Sequence, residues 1–472
     1  MLFKLNGGGI MYKKLILVSL CLSNTYAIEI TDYSQIYRGI IQEIATPQSI
    51  GDLQSLVTNH SRIAIAGGKY SMGGHIWCNH AVTIDMKHLN KVLNLDIENK
   101  TLTVQAGARR QDVQRFLHPC NLTVKVMQSY NNFSVGGSLS VNVHGRSFYG
   151  SIITTVLSLR VMLADGSIVH TSRTEKPELF SAVMGGYGAC GIIVDVTLQL
   201  EDNYKIKEVI TPVAINDFIS FYNRAIAGNT DIAFFNGVIY PPHFDTVVNF
   251  CWHRTTSPLT INDLEQSHKT SWLKDIFRKN LEFSATHFNF VQKVRRSRDI
   301  KQGQQNRVVW RSYEMTYSVD DLAPHWSYAS KILQEYFVPV EHFDAFVQDM
   351  KDIIRKNHAK IINISIRYAP KNTESFLTYA PTDCFAFVCY IVIFRTESDI
   401  EATKQWTQEL IDATLKYKGT YYLPYHLFAR ADQMIKAYPQ YNKFLDVKNY
   451  YDPLGKFQNS LLESFYDASL LS

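Results

Sequence analysis

Three glycine-rich segments hold the residue types best suited to lie against a ligand. Ile65-Ala-Gly-Gly-Lys-Tyr-Ser-Met-Gly-Gly74 follows a short apolar run and places four glycines in eight residues. Glycine lets the backbone come close to a bound group and turn successive N–H groups inward, an arrangement that holds phosphate. The segment lacks the Gly-Lys-Ser/Thr ending of a Walker loop and is not a Gly-x-Gly-x-x-Gly helix start. The second segment is Gln128-Ser-Tyr-Asn-Asn-Phe-Ser-Val-Gly-Gly-Ser-Leu-Ser-Val-Asn-Val-His-Gly145. The third is Met184-Gly-Gly-Tyr-Gly-Ala-Cys-Gly-Ile-Ile193, preceded by Leu163-Ala-Asp-Gly166.

These loops need a frame. Ile63–Ala66, Val82–Asp85 and Thr101–Ala106 read as short strands, Asp112–Leu117 as a short helix, and Ile152–Leu163 and Ile192–Leu200 as β-rich stretches. After about residue 205 the texture changes. Ile232–Tyr240, Thr246–Trp252, Lys360–Tyr368 and Cys384–Phe394 read as strands. Glu341–Asn357 is an amphipathic helix in which Phe343, Phe346, Val347, Met350, Ile353 and Ile354 follow 3–4 spacing. A second helix is predicted from Ser398, with Glu401 completing a capping box, to Gly419 as its C-terminal glycine. Strand, helix, strand, strand, helix is the pattern of an antiparallel sheet covered on one face. The expected class is α+β.

The order of the glycine segments resembles the FAD-binding (PCMH-type) fold of the vanillyl-alcohol oxidase superfamily. That group includes aldonolactone and alditol oxidases, decaprenylphosphoryl-ribose oxidase and cytokinin dehydrogenase. The resemblance covers about residues 35–200 and 420–465. It implies a two-subdomain FAD domain over 28–205 and 419–472, with an inserted substrate or cap domain over 206–418. It also implies that Ala66, Gly67, Gly68, Lys69, Tyr70 and Ser71 hold the pyrophosphate. Ser134, Gly137, Ser138, Asn142, His144 and Gly145 would lie along the flavin and diphosphate, and Gly186, Gly191 and Ile193 at the adenosine half. Many relatives attach the flavin through a His in a Gly-His-Ser sequence, where this chain has Lys69-Tyr70-Ser71. A lysine with a pKa of ~10.4 is mostly protonated at neutral pH and a poor nucleophile. No Cys lies between Gln128 and Gly145, so the FAD is expected to be non-covalent.

Oxidising a CH–OH group needs a base for the hydroxyl proton and a cation for the reduced flavin. His144 is the first candidate near the flavin; a histidine before glycine also serves as a structural hydrogen-bonder. Ser365-Ile-Arg367 resembles the Glu-x-Arg strand of alditol and aldonolactone oxidases with Ser365 in place of Glu, and makes Arg367 the candidate cation. Gln334, Glu335 and Tyr336 lie where relatives place substrate-facing polar groups. Tyr425 and His426 occupy the place of the catalytic Lys that relatives carry in a His-Trp-Gly-Lys sequence, absent here. The candidate catalytic set is His144, Glu335, Arg367, Tyr425 and His426. The resemblance implies an FAD-dependent oxidase or dehydrogenase acting on a CH–OH group of a sugar, lactone or polyol, with oxygen or another carrier as acceptor. The Tyr-Leu-Pro triplet at 422–424, similar to that of cytokinin dehydrogenase, leaves CH–NH oxidation open. So do a reductase fed by NADPH and a flavin-binding protein without turnover.

Composition bounds these readings. The chain has 472 residues, 46% hydrophobic and 19% charged, with 26 Phe, 27 Tyr and 6 Trp, which excludes a disordered chain. Met11–Ala27 carries Lys13 and Lys14, an apolar run Leu15–Leu22, and Thr25 and Ala27 at small-residue cleavage positions, the pattern of an export signal. Translation is expected to start at Met11 rather than Met1. Removing residues 1–27 takes Lys4, Lys13 and Lys14 away, so the net charge of +5 falls to +2, and no basis for nucleic-acid binding remains. No later stretch is long and apolar enough to span a bilayer. Six cysteines outside the leader show no metal-ligand spacing and read as buried free thiols. The basic run Lys293–Arg298 reads as a solvated face, or as a contact for an anionic substrate or membrane.

Overall fold

The computed structural model describes residues 28–261, 284, 289–302, 306–323 and 326–465. The leader and the proposed start at Met11 lie outside the described residues. Alternating apolar residues build three sheets that matter for the site. A three-stranded parallel sheet runs in the order Glu43–Ala45, Val82–Asp85, Ile63–Ala66. An antiparallel sheet centres on Ile192–Asp202, which pairs with Val156–Met162, Thr101–Gln105 and Leu122–Val124. The third sheet has eight strands, all antiparallel among those described. Its centre is Ile361–Ala369 beside Cys384–Phe394 beside Ala329–Pro339.

The chain changes sheets between Asp202 and Lys205. Near its end it returns to the first sheet, where Ile63 N–H donates to Lys456 C=O and Gln458 N–H to Ile63 C=O. Lys448 ties this return down from a buried position, donating to Asp452, Ala189 C=O and Phe457 C=O. The helix Phe343–Lys356 lays its apolar face on the large sheet, Phe343 against Phe385 and Phe346 against Phe387. Successive side chains on a strand point to opposite faces. Ala386, Val388 and Tyr390 therefore turn to the other face, and that face looks toward the glycine loops.

Two expectations about the helix Glu397–Lys416 change. Its N-cap is Thr396, whose hydroxyl accepts from Asp399 N–H, so Ser398 and Glu401 form no capping box. Its left-handed terminal residue is Lys418, at φ +59. Gly419 is required instead because a Cβ there would overlap Phe337 C=O. The basic run lies on the helix Asn289–Gln302, where Arg295 donates to Ile362 C=O and Asn363, and Arg296 pairs with Asp245. All six cysteines, Cys78, Cys120, Cys190, Cys251, Cys384 and Cys389, are free. No helix among the described residues is long and apolar enough to cross a membrane.

Candidate active site

The strand Ile63–Ala66 ends in the first glycine loop. Ala66, Gly67, Gly68, Lys69, Tyr70 and Ser71 all line one long cleft. Opposite them the short helix Val135–Ser140 begins, capped by Ser134, whose hydroxyl accepts from Gly137 N–H at 3.2 Å. Ser134, Gly136, Gly137 and Ser138 line the same cleft. The two segments meet without room to spare. A Cβ at Gly67 would overlap Ser134 Oγ, and one at Gly68 would lie 2.8 Å from the Tyr70 ring and 3.0 Å from Arg109 Nη1. Among the described residues nothing accepts from the amides of Gly67, Gly68 or Ser71. Lys69 sits at φ +66, and its ammonium is 2.7 Å from the buried Asp85 carboxylate. That pairing turns the ammonium toward the sheet.

Ile65, Met86, Tyr187, Gly188, Gly191, Ile192 and Ile193 form an apolar wall on one side. The large sheet supplies another wall through Leu333, Arg367, Val388 and Tyr390, and Tyr422 and Tyr425 join it. Four buried polar atoms of cleft-lining residues have no partner among the described residues: Ser71 Oγ, His75 Nδ1, Gln128 Oε1 and Arg367 Nε. Burial opposes the Arg367 charge, but Tyr390, Glu335, Tyr425 and Tyr130 outweigh it and hold the guanidinium above its ordinary pKa. Burial, and then the Glu335 charge, push the Tyr425 phenol well above the usual range.

Several expected residues stand elsewhere, each for a local reason. Asn142 adopts φ +45, and its side chain turns away to accept from Ile153 N–H. His144 is buried behind the wall among Phe337, Tyr379 and Tyr422. Its Nε2 lies 2.7 Å from Glu335 Oε1. A Cβ at Gly145 would overlap Met127 C=O, and one at Gly186 would overlap Ala182 C=O, so both glycines serve close packing rather than the cleft. His426 is wholly buried, bonded to Ser34 Oγ at 3.0 Å, which in turn donates to Asp32 at 2.6 Å. Burial, followed by the neighbouring His75, depresses the His426 pKa to about 3 and leaves it a neutral structural bond between the chain's two ends. Glu335 is 1% exposed and reaches the wall only through Tyr425, whose hydroxyl donates to Oε2 at 3.3 Å.

The cleft also contains residues not singled out as candidates: His75 and Tyr390 outside the quoted motifs, and Tyr130, Phe133, Tyr187 and Tyr422 within them. His75 Nε2 donates to Leu423 C=O at 2.8 Å, and burial lowers its pKa to about 4, so the ring is neutral. Two residues before it, the Gly73-Gly74 pair was a signal that could have drawn attention to it.

A glycine cradle beside a capped helix, apolar walls and inward orphan polar atoms fit a long, flat, partly anionic cofactor. Among the described residues no group of His, Cys, Asp and Glu could hold a metal ion.

The comparisons agree with this geometry. Residues 41–172 match the FAD binding domain family, and residues 196–465 match the D-arabinono-1,4-lactone oxidase family. L-gulonolactone oxidase of Mus musculus is 23% identical over 441 residues, covering 89% of this chain and 94% of the relative. Decaprenylphosphoryl-beta-D-ribose oxidase of Mycolicibacterium smegmatis is 23% identical over 448 residues, with 89% and 94% covered. L-galactono-1,4-lactone dehydrogenase of Arabidopsis thaliana is 28% identical over 207 residues, 43% of this chain and 33% of the relative. The chain is thus an FAD-dependent oxidoreductase of the vanillyl-alcohol oxidase superfamily and belongs to the D-arabinono-1,4-lactone oxidase family.

Proposed function

We propose that the protein oxidises a ring or chain CH–OH of an aldonolactone or a closely related sugar, with FAD held non-covalently in the cleft. The observation that carries this reading is the pairing of two features on one cleft: the Gly67–Ser71 and Ser134–Ser138 cradle, and the Arg367–Tyr425 wall facing it. When bound, FAD supplies a two-electron acceptor for a hydride. Gly67, Gly68, Tyr70, Ser71, Ser134, Gly137 and Ser138 would hold its diphosphate side, and Gly191 and Ile193 the opposite end. Arg367 offers a permanently charged donor with a free Nε, suited to orient a substrate oxygen and to balance negative charge as it develops. The flanking Tyr130, Phe133, Tyr390, Leu333 and Val388 exclude water from that point and leave Arg367 as the strongest polar anchor. Lys69, committed to Asp85, supports attachment of the flavin by contacts alone.

In this reading residues 28–205 and 419–472 make the FAD domain and residues 206–418 the substrate domain. The leader at Met11–Ala27 exports the chain, and the mature N-terminus is Ile28.

The test is an anaerobic titration of the purified yellow protein with D-arabinono-1,4-lactone, L-gulonolactone, L-galactono-1,4-lactone, polyols, secondary amines and NADPH. Bleaching by a lactone, with FAD freed by acid precipitation, supports the proposal. Bleaching only by amines or NADPH, or by nothing in the panel, overturns it. Readmitting air then shows whether oxygen is the acceptor.

A further inference from the structure

Behind the Arg367–Tyr425 wall lies a row of polar groups that flavin binding does not use. Tyr425 lines the cleft, and its Oη donates to Glu335 Oε2 at 3.3 Å. Glu335 is 1% exposed, far below what an unemployed carboxylate tolerates. Its other oxygen, Oε1, faces His144 Nε2 at 2.7 Å. Oε1 has no hydrogen-bond partner among the described residues, so the pair is a close contact. His144 is 3% exposed, enclosed by the rings of Phe337, Tyr379 and Tyr422, and its Nδ1 has no partner. Among the described residues the charged group against the ring is Glu335. The carboxylate is held between a cleft-facing phenol and a histidine shut off from water.

We propose that His144 is a positioning residue that fixes Glu335 from behind, and that Glu335 takes the proton that Tyr425 passes on from the substrate hydroxyl. The inference rests on the function proposed above and adds the proton's route to it. As the substrate C–H hydride leaves to oxidised FAD, the carbinol C–O bond becomes C=O and its O–H bond breaks. That proton moves to Tyr425 Oη while the phenol's own proton moves to Glu335 Oε2. One proton and one hydride leave the substrate, and bound FAD would supply the two-electron acceptor that balances the step. Tyr425 ends as it began, a neutral phenol, which suits a group whose ionised form is strongly disfavoured by burial and by Glu335. His144 limits the swing of the carboxylate so that Oε2 stays toward Tyr425. Contacts of this kind are commonly loose without substrate and tighten with it.

The experiment compares wild type with His144→Gln, His144→Leu, Glu335→Gln and Tyr425→Phe in the holoenzyme. Gln places an amide N–H near the His Nε2 position, whereas Leu fills the space without a donor. Anaerobic flavin bleaching by the best lactone of the panel is followed against lactone concentration. Glu335→Gln and Tyr425→Phe should slow the limiting bleaching rate about 100-fold or more. Half-saturation should move less than threefold. His144→Leu should do the same, His144→Gln should recover at least a tenth of the wild-type rate, and His144→Leu/Glu335→Gln should be no slower than Glu335→Gln alone. Equal rates for His144→Leu and wild type, or losses that multiply in the double variant, overturn the proposal. So does a change confined to half-saturation or to flavin affinity. NMR of isotope-labelled histidines gives an arm that needs no substrate. Glu335→Gln must shift the His144 Nε2–H signal, and an unmoved signal refutes the contact. If no lactone bleaches the wild type while this signal moves, the assigned reaction fails and the His144–Glu335 contact stands.

Discussion

Gly67 offers the most direct test of the cradle, through Gly67→Ala. The new Cβ would overlap Ser134 Oγ, lie 3.3 Å from Ser134 Cβ, and meet Gly137 N at an ordinary 3.6 Å. The collision is therefore with one hydroxyl. Gly67 does not have a positive φ, so alanine is not strained by its backbone. Ser134 can rotate away only by giving up its 3.2 Å bond from Gly137 N–H, a cap worth about 1 kcal/mol. If it stays, the loop must move off the helix, and overpacking of this kind costs about 1–3 kcal/mol. Because both segments line the cleft, the loss should appear as flavin affinity weakened about 5- to 150-fold. Apo-protein titrated with FAD and followed by quenching of flavin fluorescence gives that number. Ser134→Ala removes the colliding oxygen, so Gly67→Ala/Ser134→Ala should bind FAD about as well as Ser134→Ala alone. Unchanged FAD affinity in Gly67→Ala, or losses in the double variant equal to the sum of the singles, would refute the argument that these two segments grip the cofactor from opposite sides.

Arg367→Met should leave FAD affinity within about threefold but slow lactone-driven bleaching by about 100-fold or more, because it removes a preorganised charge at the reacting end; stopped-flow absorbance separates the two. His426 has a folded pKa of about 3 against 6.5 for the free side chain, so the unfolded chain gains a proton first as pH falls. Stability attributable to this group is intact above about pH 6.5 and is lost between there and pH 3, about 2 kcal/mol near pH 5 by linkage. Urea melts should show His426→Asn losing less stability than wild type between pH 7 and pH 5; parallel losses would contradict the burial of this ring. Burial pushes the Cys78, Cys190, Cys251 and Cys384 thiols up to about 12, while Cys120 is half-buried. A maleimide should therefore label Cys120 first in the native protein and the others only on unfolding, read by peptide mass.

The parts of the site legible in the sequence are those whose requirement is local. Four glycines in eight residues after an apolar run state that backbone must approach something closely, and Gly67 and Gly68 do so. The apolar run Cys384–Phe394, rich in β-branched and aromatic residues, read as a strand and is one over the same residues, buried on both faces. Orientation after a turn was not legible. Asn142, His144 and Gly145 follow Ser138 by only a few residues, yet the left-handed Asn142 reverses the chain and sends them behind the wall. Nothing in their types distinguishes a histidine facing a flavin from one facing a buried glutamate. His426 shows the same limit, since its partner Ser34 is 392 residues away in the chain.

Register explains the most consequential of these gaps. The resemblance places an acid two residues before the strand arginine, and this chain has Ser365 there. Yet Ser365 pairs with Val388, and Val388 pairs with Glu335. The acid therefore stands on the rung of the missing one, two strands away, about 10 Å at the usual strand spacing. Residues on one rung share a face of the sheet, so Glu335, Val388 and Ser365 all turn toward the cleft side, with Arg367 two positions on. A motif search along one strand reads Ser365 as a loss. Across the sheet the carboxylate is present, displaced toward Tyr425 and held within reach of His144. Moving it back is then a discriminating experiment. Ser365→Glu in a Glu335→Gln background puts an acid beside Arg367 but away from Tyr425. If any nearby carboxylate suffices, bleaching returns. If the route runs through Tyr425, the double variant stays as slow as Glu335→Gln, and that is the expected result.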